Sequence, residues 1–218
     1  MTASRARLDR RQAILEGAFT VFARQGYAQS CMQDIADEAG VAKPTMYNYF
    51  SDKATLFQEA LQVVARSTLN DRLAVLEPLV DPGEDLRAVL ESTGHELVRL
   101  HCDDRSWALR RLLLSEITRL PGLLDIIRET GTQRLQQALA GALARLMVAG
   151  RLRSTDPGQA AEQFIALLTG PLEARCLMAT RRIDDTEVQD MVRAAVRTFL
   201  RAMAPILTAA DSKPRKRT

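Results

Sequence analysis

Cysteine, histidine and aromatic side chains are all scarce in this chain of 218 residues. The three cysteines, Cys31, Cys102 and Cys176, are odd in number and far apart. They form no CxxC pair and no disulfide framework, which suits a reducing cytoplasm. The two histidines, His95 and His101, are separated by about 240° around a helix and do not face one site. Four zinc ligands cannot be assembled locally. GxSxG, P-loop and glycine-rich dinucleotide motifs are missing, and Asp103-Asp104 has no second acidic cluster in matching context. No catalytic residue, metal or cofactor is therefore expected, and the chain is not read as an enzyme. No run approaches 18 apolar residues, so no helical membrane span is expected. The opening MTASRARLDRRQ has no apolar core of a secretion signal. No stretch alternates with period two, so strands are not expected either.

What is present is enough apolar sequence for a helical core. Hydrophobic residues make up 46% of the chain and charged residues 26%. A chain of this length buries roughly 70% of its unfolded surface and folds without covalent staples. The net charge of +3 lies wholly in the tail 211–218, which holds Lys213, Arg215, Lys216 and Arg217 against Asp211. That tail reads as a solvated, disordered end or as an arm that touches nucleic acid. The first 60 residues carry as many acidic as basic groups. A broad basic face is thus not the argument for DNA binding. Placement is: Arg5, Arg7, Arg10 and Arg11 cluster at the start, and Lys43 and Lys53 flank a short helix. A plain solvated surface would show the same pattern.

Helical periodicity runs almost throughout. A first helix is expected from about Leu8 to Gln25, with Ile14, Leu15, Ala18 and Phe22 as its stripe and Gly26 just past its end. Ser30 with Gln33 reads as a capping box for a second. Pro44 suits the first turn of a third. Ser51 is read as the cap of a long fourth helix reaching about Val80, before Asp81-Pro82-Gly83 breaks the chain. Further helices are expected at about Glu84–Cys102 and Arg105–Leu120, then from Pro121 to Ala149 with a break near Gly131. Asp156-Pro157 opens another, which Gly170-Pro171 bends. The last helix spans about Asp185–Leu207. The expected class is all-α: a three-helix head over 1–52, a long connecting helix, and a larger helical body over 53–210.

The stretch Ser30–Phe50, SCMQDIADEAGVAKPTMYNYF, carries the functional reading. Two helices that cross steeply need a small residue at the crossing, supplied by Ala36. The tight reversal falls on Gly40, and Met46 points back into the pair, with Ile35, Ala39 and Val41 filling the other inward positions. This is helix-turn-helix spacing, which lays the second helix in the DNA major groove. Lys43 suits a phosphate. Thr45 suits a phosphate or a thymine methyl. Asn48 suits an adenine edge. Tyr47 is read with its ring in the head core or its hydroxyl at DNA, and Tyr49 toward DNA. Arg7, Arg10 and Arg11 reach the backbone or the minor groove, or are simply solvated. Cys31 is read as a small buried residue, with a redox role near a helix N-terminus as the alternative.

The segment Gly26–Leu56 resembles the TetR family of bacterial transcriptional regulators. The resemblance rests on Gly26-Tyr27, Ile35-Ala36, Ala39-Gly40-Val41, Tyr47, Tyr49-Phe50, Lys53 and Leu56. Farther on, RLPGLLDIIRETG and GRLRSTDPGQAAEQFIALLTG are similar to the AefR-like subgroup. The resemblance implies a homodimer that binds a pseudo-palindromic operator and leaves it when a small molecule enters the body. By position it makes Ser30 a cap that touches phosphate, puts Lys43, Thr45, Tyr47, Asn48 and Tyr49 on the groove-facing helix, and sets Lys53 at the DNA backbone. At Ala42 the family often has serine, so one cap and one phosphate contact are absent here.

In the body, Trp107, Arg110, Leu114 and Ile117 share a helical face suited to an anionic or aromatic ligand, with His95 and Phe164 as further candidates. Ordinary core packing explains the same face. The last helix is apolar over so wide an arc that a two-fold partner is the simplest cover, through Phe164, Leu168, Val192, Phe199 and Met203. Burial within one subunit is the alternative. The competing functional reading is a helical small-molecule-binding protein or enzyme with a vestigial helix-turn-helix.

Overall fold

A computed structural model describes residues 2–176 and 181–205. About 77% of the chain is helical, and no strand occurs among the described residues. The helices are α1 (Thr2–Gln29), α2 (Met32–Glu38), α3 (Lys43–Tyr47), α4 (Lys53–Ala74), α5 (Leu86–Cys102), α6 (Asp104–Glu116), α7 (Leu123–Thr130), α8 (Thr132–Val148), α9 (Pro157–Thr169), α10 (Leu172–Cys176) and α11 (Asp185–Ala202). A 3₁₀ turn covers Glu77–Leu79. The all-α expectation holds. No described helix is long and apolar enough to cross a membrane.

Local chemistry sets most boundaries. Asp156 accepts hydrogen bonds from the Gly158 and Gln159 N–H groups and Pro157 takes the first turn, so α9 starts where expected. Asp103 and Asp184 cap α6 and α11 in the same way. At Gly26 the backbone of α1 enters the left-handed region (φ 79°) and kinks the helix. Two expected caps move by one residue. Cys31, not Ser30, caps α2, its Sγ accepting from the Asp34 N–H. Asp52, not Ser51, caps α4, accepting from the Thr55 N–H at 2.7 Å. That bond, with the Ser51 hydroxyl beside it, holds the Asp52 carboxyl below its usual range. The long helix also ends early, at Ala74 rather than Val80. Pro78 is the reason: its ring clashes with the carbonyl four residues back, which is Ala74 itself.

Packing divides the chain into two compact units. Unit 1 comprises 1–72 and 100–134, and unit 2 comprises 73–99 and 135–218. The chain crosses between them inside α4, α5 and α8. In unit 1 a continuous core joins Ile14, Phe22, Ile35 and Met46 to Leu56, Phe57 and Leu61 of α4 and to Leu109 and Leu112 of α6. The core of the head therefore does not close at residue 52. In unit 2, α9 packs on α11, and Phe164 meets Phe199 with ring centroids 4.8 Å apart. Phe164, Leu168, Val192, Phe199 and Met203 are all buried within this single chain. The expectation that they cover a two-fold partner is corrected: α9 and α11 face each other, and Leu168 and Val192 close on Gly94 of α5. The end of the expected last helix, residues 206 and 207, lies outside the described residues, as does the basic tail.

Candidate nucleic-acid interface

The head is built around α3, a helix of five residues that cannot hold its own shape in water. Neighbours position it. Ala36 of α2 is fully buried, and α2 packs on both α1 and α3. Gly17 of α1 lies against Ala39, and a Cβ there would come within 3.1 Å of the Ala39 Cβ and backbone N. Gly40 then turns the chain at φ 65°, and the Val41 N–H reaches back to the Ala36 carbonyl at 3.0 Å. Met46 is the one buried residue of α3, at 0% exposure. Ile35 is buried, and Ala39 and Val41 pack against the same core. The inward set read from the sequence is thus the inward set of the fold.

The other side of α3 faces outward. Lys43, Pro44, Tyr47 and Asn48 are exposed, and Thr45 and Tyr49 are half-buried. Tyr47 is 48% exposed, so its ring is not head core. Tyr49 leans toward the core, 6.5 Å from the Phe50 ring. The α3 N-cap, Ala42, makes no side-chain capping bond. Ser30 differs from its expected role. It is only 4% exposed and its hydroxyl donates to the Tyr27 carbonyl at 2.9 Å, so it braces the turn and offers nothing to a phosphate. Cys31 is exposed rather than buried. Lys53 donates to the Tyr27 and Ser30 carbonyls at 2.7 and 2.8 Å and lies 4.5 Å over the Tyr27 ring. Two of its three N–H donors are thereby spent on tying α4 to the end of α1.

The candidate ligand residues divide between the two units. Trp107 and Arg110 meet in unit 1, the guanidinium 4.2 Å over the indole. Arg110 also donates to the His101 carbonyl at 2.7 Å, and the His101 ring stands edge-on to Trp107 at 6.2 Å. Ile117 packs against the unit 1 core. Leu114 is 72% exposed and lines nothing enclosed. His95 and Phe164 belong to unit 2, where His95 bonds Asp185 at 2.7 Å. Among the described residues no group of three His, Cys, Asp or Glu is placed to hold a metal.

His101 supplies a pH dependence. Burial, with the charges of Arg110 and Arg72 added, pushes its imidazole down to about 3 from 6.5. Between those values the unfolded chain binds a proton that the folded chain excludes. The part of the stability that depends on His101 is therefore full above about pH 6.5 and falls as the pH drops toward 3. His101→Phe keeps a ring beside Trp107 and removes the titration. In urea melts between pH 7 and 4 it should flatten the acid slope, by at most about 1.4 kcal/mol per pH unit. An unchanged slope would contradict the assignment.

Several contacts of the head were not legible from spacing. Arg105 of α6 pairs with Glu16 of α1 at 2.9 Å and lies 5.4 Å over Phe19. Arg111 of α6 donates to the Ala23 carbonyl at 2.7 Å. Gly17 was also missed, although a glycine inside the buried stripe of a helix is itself a sign of close approach.

A small buried residue in α2, a glycine reversal and an outward polar helix define a helix-turn-helix DNA-binding protein. Residues 14–60 match the family described as bacterial regulatory proteins, tetR family. Residues 88–205 match the AefR-like transcriptional repressor C-terminal domain. The chain belongs to the tetR family and is a DNA-binding transcriptional regulator. It is 36% identical over 84 residues to the transcriptional activator FasR of Mycolicibacterium smegmatis, a match spanning 38% of each protein. It is 26% identical over 203 residues to the transcriptional repressor KstR of Mycobacterium tuberculosis, spanning 90% of this chain and 83% of KstR. A TetR-family regulator from Mesorhizobium loti superposes with a TM-score of 0.83 at 26% identity, covering 93% of this chain and 98% of that one.

Proposed function

We propose that the chain works as a homodimeric, cytoplasmic repressor that binds a pseudo-palindromic operator and is released by a small molecule. The observation that carries this is the orientation of α3. Its single buried anchor, Met46, leaves Lys43, Tyr47 and Asn48 exposed on the far side. Lys43 would neutralise a phosphate, Asn48 would read an adenine edge, and Thr45, Tyr47 and Tyr49 would flank them. The third N–H of Lys53 would meet a backbone oxygen. Repression rather than activation is favoured by the AefR-like repressor match over the body.

The effector would act through α6. Trp107 and Arg110 suit an aromatic or anionic molecule by stacking and charge, while Arg105 and Arg111 on the same helix hold α1 of the head. The effector can shift the head only if it binds two conformations with unequal affinity. The division of labour proposed is a head over 1–52 for DNA and a body over 53–210 for effector and dimer contacts. With the inward faces of α9 and α11 consumed within the subunit, a partner would meet their outward sides.

Selection of bound fragments from the source genome, with and without candidate small molecules, tests this. A two-fold symmetric site that is enriched and then lost on addition of one compound supports the reading. Binding without sequence preference contradicts it.

A further inference from the structure

We propose that the N-terminal turns of α1 make a second DNA contact, seating one phosphate–deoxyribose unit in the cleft between Arg7, Leu8 and Arg11 of α1 and Asn48 and Tyr49 at the end of α3. The cleft is open and holds about 290 Å³. The inference rests on α3 being the groove-reading helix, and it concerns residues that precede the matched segment 14–60.

Three observations carry it. The first is the cleft itself, which places side chains of α1 beside the two residues that follow α3. A helix of five residues is about 7.5 Å long, whereas the major groove is about 12 Å wide. The cleft lies just beyond the C-terminal end of α3, where a strand bordering a groove that holds so short a helix would pass.

The second is the division of work between two arginines. Arg11 is ion-paired with Glu59 and lies 5.4 Å over the Phe50 ring. It is a fixed wall. Arg7, exposed, makes no ion pair or hydrogen bond among the described residues. Its charge is available to a phosphate, with the Tyr49 hydroxyl as a neutral donor and the Leu8 side chain as an apolar surface for the sugar.

The third is that α1 extends well ahead of the core. Residues 5–10 are all exposed, and the first buried residue among those described is Ile14. Leu8 is 64% exposed although it is the one large apolar side chain in those turns. No residue from 5 to 10 is buried within the chain, and a DNA backbone would give Leu8 and Arg7 a surface to pack on.

The test uses the full-length protein and its selected operator, with binding followed by fluorescence anisotropy between about 50 and 200 mM salt. Arg7→Ala should weaken binding about fivefold near physiological salt and make the slope of log K against log salt shallower by about 1.8, one phosphate contact being lost from each of the two protomers. Arg5→Ala, about 200° around α1 from Arg7, should leave the slope unchanged. A neutral methylphosphonate at the bordering phosphate of each half-site should weaken the wild type and leave Arg7→Ala unaffected. Leu8→Glu, which places a carboxylate in the cleft, should lose at least as much as Arg7→Ala with helicity by circular dichroism retained.

Wild-type slope and affinity in Arg7→Ala would overturn the proposal while leaving the groove helix intact. A loss confined to one base sequence, with unchanged slope, would overturn it in favour of base reading. Wild-type protein without salt-dependent operator preference would remove both this inference and the functional reading beneath it.

Discussion

Met46→Glu should abolish operator binding, lowering affinity more than 100-fold, while the helical content of the rest of the chain survives. Met46 is fully buried and is the one buried residue of α3. The helix has no side-chain cap at Ala42 and is far too short to persist alone. Its position depends on that side chain and on the backbone bonds from Tyr49 and Phe50 to the Met46 carbonyl. An unpaired carboxylate at this site costs several kcal/mol. The chain avoids that cost by releasing α3 from the core rather than by unfolding throughout. Met46→Leu keeps the volume and should stay within about tenfold of wild type. Anisotropy with operator, beside circular dichroism, reads both effects. Wild-type affinity in Met46→Glu would mean that α3 does not need its anchor, and the orientation argument would fail with it.

Phe57→Ala should produce the largest loss of stability in unit 1, about 3–5 kcal/mol. Phe57 of α4 is fully buried. Its ring meets Phe22 edge-on at 4.8 Å and Tyr27 at 4.8 Å. Tyr27 in turn lies under the Lys53 ammonium, and its carbonyl accepts from the same group. Removing the ring leaves a cavity beneath the joint between α1 and α4, where two arms of the head meet. Phe57→Leu fills most of it and should cost roughly half as much. Because the chain has two packing units, melts should be followed with and without operator, so that the transition protected by DNA can be assigned to unit 1. A loss below about 1 kcal/mol would show that the site collapses freely, contrary to the packing described.

The sequence made the helices and the orientation of α3 readable because both depend on local chemistry. Gly40, Ala36 and Met46 act on neighbours within ten residues, and Asp156-Pro157 caps a helix that begins beside it. Caps failed by one position at Ser30 and Ser51 because each precedes a second residue able to accept the same bond, Cys31 and Asp52. The end of α4 was misplaced because Leu76 and Leu79 continue the apolar spacing past Ala74, although Pro78 forbids the helix there. Contacts between distant segments were not readable. Lys53 carries a charge suited to phosphate, yet it is held by carbonyls 23 and 26 residues away. Arg105 reaches Glu16 across 89 residues. The breadth of the apolar face of α11 was a true signal of burial, but pattern alone does not distinguish a partner's surface from the chain's own α9 and α5.

Selection from random duplex DNA with the wild type and with Asn48→Ala, compared position by position, tests the central claim most directly. The account predicts a two-fold symmetric site for the wild type, with half-sites about one helical turn apart. Asn48→Ala should lose preference at one base pair in each half, a discrimination of about 1–3 kcal/mol. Identical preferences in the two proteins, or no symmetric site for the wild type, would contradict the claim that the outward side of α3 reads DNA.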